Sequence, residues 1–171
     1  MLSNKMLEAL NRQVNAELWS SYIYLSMSAW FEQQNLTGMA GWMKNQALEE
    51  LIHAMKIYDH IHERGGAVTL TSIDAPETEW ASPLAVFEAT YEHECHVSSL
   101  INGLVDLAIA ESDHASNAFL QWFVSEQVEE EDVANGIVEQ MKLIGDDRGA
   151  LFMIDRELGA RPAPAAAPAE E

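Results

Sequence analysis

The sequence predicts an all-α protein: an antiparallel four-helix bundle with a long crossover between the second and third helices and a short fifth helix near the C-terminus. Three observations carry that expectation. Structure-breaking residues are sparse, at Thr37-Gly38, Gly65-Gly66, Ser82-Pro83, Ser112-Asp113 and Gly145, and they leave four long segments. Each segment is rich in Ala, Leu, Glu and Met, and no Pro interrupts its interior. The links between segments run short, long, short, which is the connectivity of a bundle with one return along its length.

Taken in order, the helices are expected over 5–34, 39–64, 83–111 and 114–143, each about 40 Å long at 1.5 Å per residue. Tight turns join the first to the second and the third to the fourth, so those pairs run antiparallel. Residues 65–82 hold Val68, Thr69, Leu70, Pro76 and Trp80 without helical spacing and read as an extended crossover. Gly145 ends the fourth helix, and 148–158 has room for the short fifth. Residues 1–158 are thus expected to form one domain, and the Pro/Ala-rich 159–171, ending in two Glu, a solvated disordered tail.

With 171 residues, 48% apolar and 22% charged, the chain has the composition of one folded unit. Its 28 acidic against 9 basic residues give a formal net charge of -19, which repels nucleic-acid backbones and anionic membranes and attracts cations. Adaptation to high salt accounts for the same excess. The single Cys95 cannot make an internal disulfide or a Cys-pair zinc site. Residues Met1 to Met6 lead straight into an amphipathic pattern, not an apolar signal segment, and no apolar run is long enough to span a bilayer. A cytoplasmic location is expected, with no nucleic-acid or membrane partner.

The bundle seams, spaced by three and four residues, should be apolar. Instead each carries a carboxylate near its middle. The rows read Leu7, Leu10, Val14, Glu17, Ser21, Tyr24; Met43, Gln46, Glu50, His53, Ile57; Phe87, Tyr91, Glu94, Ser98, Ile101, Val105; and Leu120, Phe123, Gln127, Glu130, Ala134, Ile137, Met141. For any single helix, a satisfied polar residue or a register off by one accounts for this equally well. Four at matching depth are harder to dismiss, because burying them uncompensated costs on the order of 10 kcal/mol or more, as much as a domain's whole stability. No Lys or Arg lies near them in the rows, so multivalent cations are the simplest counter-charge. Carboxylates with one imidazole suit Fe, Mn or Zn better than Cu(I), Ca or Mg. The Glu50-x-x-His53 spacing puts both ligands on one helical face, and a shared Glu could bridge two ions.

These residues resemble those of a known family, the non-haem ferritins of bacteria and archaea, within the ferritin-like di-iron proteins. The resemblance runs from about Lys5 to Leu158. It rests on Asn15-Ala16-Glu17-Leu18 with Tyr24, the stretch from Gln46 to His53 with its double Glu, Tyr91-Glu92-His93-Glu94, and the block from Phe119 through Gln121-Trp122-Phe123 and Glu126-Gln127 to Glu131. It implies a first iron site of Glu17, Glu50 and His53, and a second of Glu50, Glu94 and Glu130 with Gln127 beside it. Glu49, Glu126 and Glu129 face away from the axis; spacing alone reads them equally as a solvated acidic face, and the resemblance implies a third iron site sharing Glu130. Tyr24, two turns from Glu17, either packs on the seam or serves, as the family implies, as a redox partner. Trp122 reads as packing, Cys95 has no assigned role, and His60, His62, His93, His96 and His114 read as surface or capping residues.

The activity implied is iron storage with ferroxidase chemistry, Fe(II) being oxidised by O2 or H2O2 and held as ferric mineral inside a homo-oligomeric cage of 24 subunits. No haem is expected, since Leu51 stands where a haem-binding relative would have Met. A di-iron oxygenase or peroxidase is the enzyme alternative, but it would carry a second Glu-x-x-His where this chain has Gln127-Val128-Glu129-Glu130. A helical shell that sequesters metal without catalysis is the alternative from another class. Mini-ferritins, which build their sites between subunits, conflict with a full ligand set in one chain.

Overall fold

The computed structural model describes residues 1–163, and the expected tail beyond 163 lies outside the described residues. Five helices form, α1 (Asn4–Gln33), α2 (Thr37–Glu63), α3 (Pro83–Ala110), α4 (His114–Ile144) and α5 (Arg148–Leu158). Local chemistry sets most of their starts. Ser3, Ser82, Asp113 and Asp147 each accept a backbone N–H of the first turn, satisfying donors that the helix itself cannot. Pro83 suits the first turn of α3, where its missing N–H would have had no partner. Asn35 and Ser112 turn the chain with positive φ at 61° and 54° in the two short connections.

α2 is the exception: its N-cap, Leu36, has no side-chain acceptor. The buried Asp155 of α5 supplies one from 116 residues away, its Oδ1 accepting Met39 N–H at 2.9 Å. A carboxylate at a helix N-terminus also complements the helix dipole. The two helices meet at Gly38, where a Cβ would lie 1.7 Å from the Asp155 carbonyl oxygen. Gly38→Ala is therefore expected to undock α5 at a cost of about 2–3 kcal/mol, read as faster amide exchange across Arg148–Leu158 and a lower melting temperature.

The crossover, residues 65–82, runs along α1 as an extended strap. Asn11 bonds to Ala67 and Thr69, Asn15 to Ser72, and Ser26 to Glu77, and Trp30 meets Trp80 edge-on, so contact advances along both segments together. A chain without its own hydrogen-bonded structure needs such side-chain partners for its peptide groups.

Two apolar clusters fill the bundle. One gathers Tyr24, Phe31, Trp42, Met43, Phe87 and Met141, the other Met6, Leu10, Ile57, Ile101, Leu120 and Phe123. The rows on α2 and α4 are buried as the pattern predicts. On α3 the stripe is shifted: Thr90, Val97 and Leu104 are buried, while Tyr91, Ser98 and Val105 are half-buried. On α1, Gln13 and Ser20 are buried, whereas Leu7 and Ser21 are only half so. A helix packed against two neighbours buries a stripe wider than a single heptad seam, and its centre depends on where the second neighbour lies. Among the described residues, no helix is long and apolar enough to cross a membrane.

Candidate metal centre

Between the apolar clusters lies a polar layer to which each long helix contributes a carboxylate. Glu17, Glu50, Glu94 and Glu130 are 1%, 2%, 1% and 9% exposed, and His53 is 4% exposed. A mid-seam position on each helix puts all four at one depth. One oxygen each of Glu17 and Glu50 and one ring nitrogen of His53 lie within 4.8 Å of one another. The His53 Nδ1 is 3.3 Å from Glu50 Oε2.

Amides orient the carboxylates from behind. Gln13 Nε2 donates to Glu17 Oε1 at 2.9 Å, and Gln46 Nε2 donates to Glu130 Oε2 at 2.8 Å. Gln127 Nε2 donates to Glu94 Oε2 at 3.2 Å, and the Tyr24 hydroxyl donates to the other oxygen of Glu94. Two acceptors are left over: the Oε2 atoms of Glu17 and Glu50 are buried without a hydrogen-bond partner. Such atoms are rare in folded proteins because leaving them unpaired costs about 1–3 kcal/mol or more. Two orphaned carboxylate oxygens beside an imidazole nitrogen form a donor set that fits a divalent cation of the Fe, Mn or Zn kind.

The same crowding holds protons. Burial, reinforced by Glu50, pushes the Glu17 carboxyl up to about 8. Burial, with Glu94 and Glu130 adding, puts Glu50 well above the ordinary carboxylate range. Glu130 is pushed up to about 7 by burial and then by Glu94. Burial also raises Glu94, although the Tyr24 hydroxyl and Gln127 amide pull the other way. Tyr24 is fully enclosed, and burial followed by the charge of Glu94 keeps it a neutral phenol.

The outer residues sit differently. Glu49 is half-buried and feels the charge of Glu126, itself half-buried, and Glu130 in turn feels Glu49. Glu129 is exposed, beside a groove lined by Tyr91, Ser125, Glu131 and Asp132. Tyr24, two turns from Glu17 on the same helix, bonds across the bundle to Glu94 on α3. Trp122 meets the His53 ring edge-on at 5.4 Å and carries Lys56 over its own face.

Three sequence readings change. His60, expected at the surface, is buried, stacked on Phe119 at 3.9 Å and bonded to Ser116. His93 is likewise packed inward, its Nε2 2.8 Å from the Ser20 hydroxyl, and burial lowers it to about 4. Arg161, placed by composition in the solvated tail, reaches Glu49 and Gln46. The supporting roles of Gln13 and Gln46 were also missed; their spacing from Glu17 and Glu50, one helical turn away on the same face, was the available signal.

Residues 7–144 match the family model described as Ferritin-like domain. The chain belongs to the ferritin-like family. It is 50% identical over 161 residues to the bacterial non-heme ferritin of Bacteroides fragilis, covering 94% of this chain and 100% of that one. It is 41% identical to a probable bacterial non-heme ferritin-like protein of Haemophilus influenzae, with 93% and 96% covered. Among solved structures, the open-pore ferritin of the archaeon Archaeoglobus fulgidus superposes with a TM-score of 0.94 at 52% identity, covering 95% of this chain and 100% of that chain. The bundle with a long crossover and a short fifth helix is thus the ferritin fold, and membership supports iron storage, with iron binding and oxidation in general as its chemistry.

Proposed function

We propose that this ferritin is a cytoplasmic ferroxidase that oxidises Fe(II) at a di-iron centre inside each subunit and stores the Fe(III) as mineral within a 24-subunit cage. Glu17, Glu50 and His53 hold the first ion, and Glu50, Glu94 and Glu130 the second, with Gln127 beside it. Glu49, Glu126 and Glu129 take a third, sharing Glu130. The observation that carries this reading is the pair of orphaned Glu17 and Glu50 oxygens facing His53.

Each side chain has a physical task. Glu17, pushed up to about 8, exchanges its proton for incoming Fe(II), and the raised Glu50 beside it gains the same counter-charge from the ion. Gln13, Gln46 and Gln127 hold their carboxylates in place, so little reorganisation accompanies binding. With O2 as oxidant, two Fe(II) and O2 with two protons give two Fe(III) and H2O2. Each ion loses one electron, and Tyr24, hydrogen-bonded to Glu94, would hold that carboxylate toward the second ion. One imidazole among oxygen donors leaves the product ions free to move on to the mineral, whereas a second Glu-x-x-His would hold them as a resident cofactor.

Aerobic mixing with Fe(II) tests the reading. His53→Ala is expected to slow initial oxidation about tenfold or more, while light scattering still finds the cage. Oxidation at the wild-type rate in that variant would favour the non-catalytic shell instead. A monomer at micromolar concentration would remove storage.

A further inference from the structure

We propose that Arg161 is a tethered cation guarding the outer carboxylates: its guanidinium occupies Glu49 until a divalent ion displaces it, so the C-terminal segment sets how tightly the third ion binds. The proposal rests on reading Glu49, Glu126 and Glu130 as part of a third site.

The contact is held from several sides. α5 is pinned to the start of α2 by Asp155, and Gly159 packs so closely on Gly38 that a Cβ there would lie 2.8 Å from the Gly38 Cα. That crossing delivers the following residues along α2. Asn45 Nδ2 donates to the carbonyls of Arg161 and Pro162 at 3.3 and 3.4 Å, fixing the backbone. The Arg161 Nη2 then donates to both oxygens of Glu49 at 3.0 Å, Nη1 donates to Gln46 Oε1, and the guanidinium lies 5.4 Å from the Trp42 ring centroid. Gln46 passes the contact inward, because its amide is also the donor to Glu130.

Arg161 is the one basic residue in 159–171. A guanidinium against Glu49 and a divalent ion on the same oxygens exclude each other, both by occupancy and by like charge. When the guanidinium leaves, Gln46 loses its outer partner, so filling the third site is coupled to the orientation of Glu130. The arrangement would let the two inner sites fill first and reserve Glu49 for higher metal concentration.

Calorimetric titration of the metal-free full-length protein with Zn(II), which binds without redox chemistry, tests this. Wild type is expected to show two tight steps and a weaker third. In R161Q the third step should tighten about tenfold while the first two stay within about threefold. R161K, which keeps the charge without the fork, should fall between, and the double variant R161Q/E49Q should lose the gain. A third step of equal affinity in wild type and R161Q overturns the proposal, as does a gain that survives in R161Q/E49Q. Two steps with no third in either protein overturns it too, while sparing the di-iron reading. Absence of the first two steps in wild type would strike the di-iron reading itself, and this proposal with it.

Discussion

Glu50→Gln is expected to slow aerobic Fe(II) oxidation by about a hundredfold or more and at the same time make the metal-free protein more stable. Loss of activity follows from the position of Glu50, the one carboxylate shared by both proposed inner sites. The gain in stability follows from its surroundings. Glu50 is buried, one oxygen has no partner, and burial with Glu94 and Glu130 holds its carboxyl well above the ordinary range. Near neutrality the unfolded chain would ionise this group freely, so folding must work against that ionisation. A glutamine has no such ionisation to lose, and the variant should melt at a higher temperature than wild type near pH 7. Thermal melts of the metal-free proteins alongside initial oxidation rates check both halves. Zn(II) should then raise the wild-type melting temperature by mass action and leave that of Glu50→Gln much less changed. A variant that loses activity and metal-free stability together would mean that Glu50 serves packing, not a cation.

The second large effect is the pH dependence of the metal-free protein. The folded pKa values of Glu17, about 8, and Glu130, about 7, both lie above the ordinary value of 4.5. Between those limits the folded state binds more protons than the unfolded state, so the free energy of unfolding falls as pH rises. The metal-free protein is therefore expected to be most stable on the acid side of this window and to lose on the order of 6 kcal/mol from about pH 5 to about pH 8. Divalent metal reverses the trend, because ions replace the protons and bind more tightly as the carboxyls ionise. Melts across this range with and without Zn(II) should show slopes of opposite sign, and Glu17→Gln should flatten the metal-free slope. Metal-free stability that rises with pH through this window would show that the buried acids are already ionised and compensated by the protein itself.

Both expectations depend on four acids meeting in one layer, and that much could be read along the chain. Helix propensity, sparse breakers and three-four spacing are local properties, so they marked four long helices, the crossover and a mid-seam carboxylate on each helix. The α4 row from Leu120 to Met141 is buried throughout as its spacing predicts. Partnerships between helices are another matter, since periodicity places a residue on a face without saying what lies opposite. Hence spacing brings Tyr24 within reach of a ligand without naming Glu94 as its partner, the α3 stripe is centred on Val97 and Leu104, and His60 and His93 turn inward.

The sequence by itself determined the fold class, the polar layer and the acids in it, because burial pattern and helix length are written in the order of residues. Only the tertiary structure decided which oxygens lack partners, that Asp155 starts α2, and that Arg161 from a Pro/Ala-rich segment reaches Glu49. Those depend on distances between residues more than a hundred positions apart, or on the sum of all neighbours around one atom, and no local pattern encodes either.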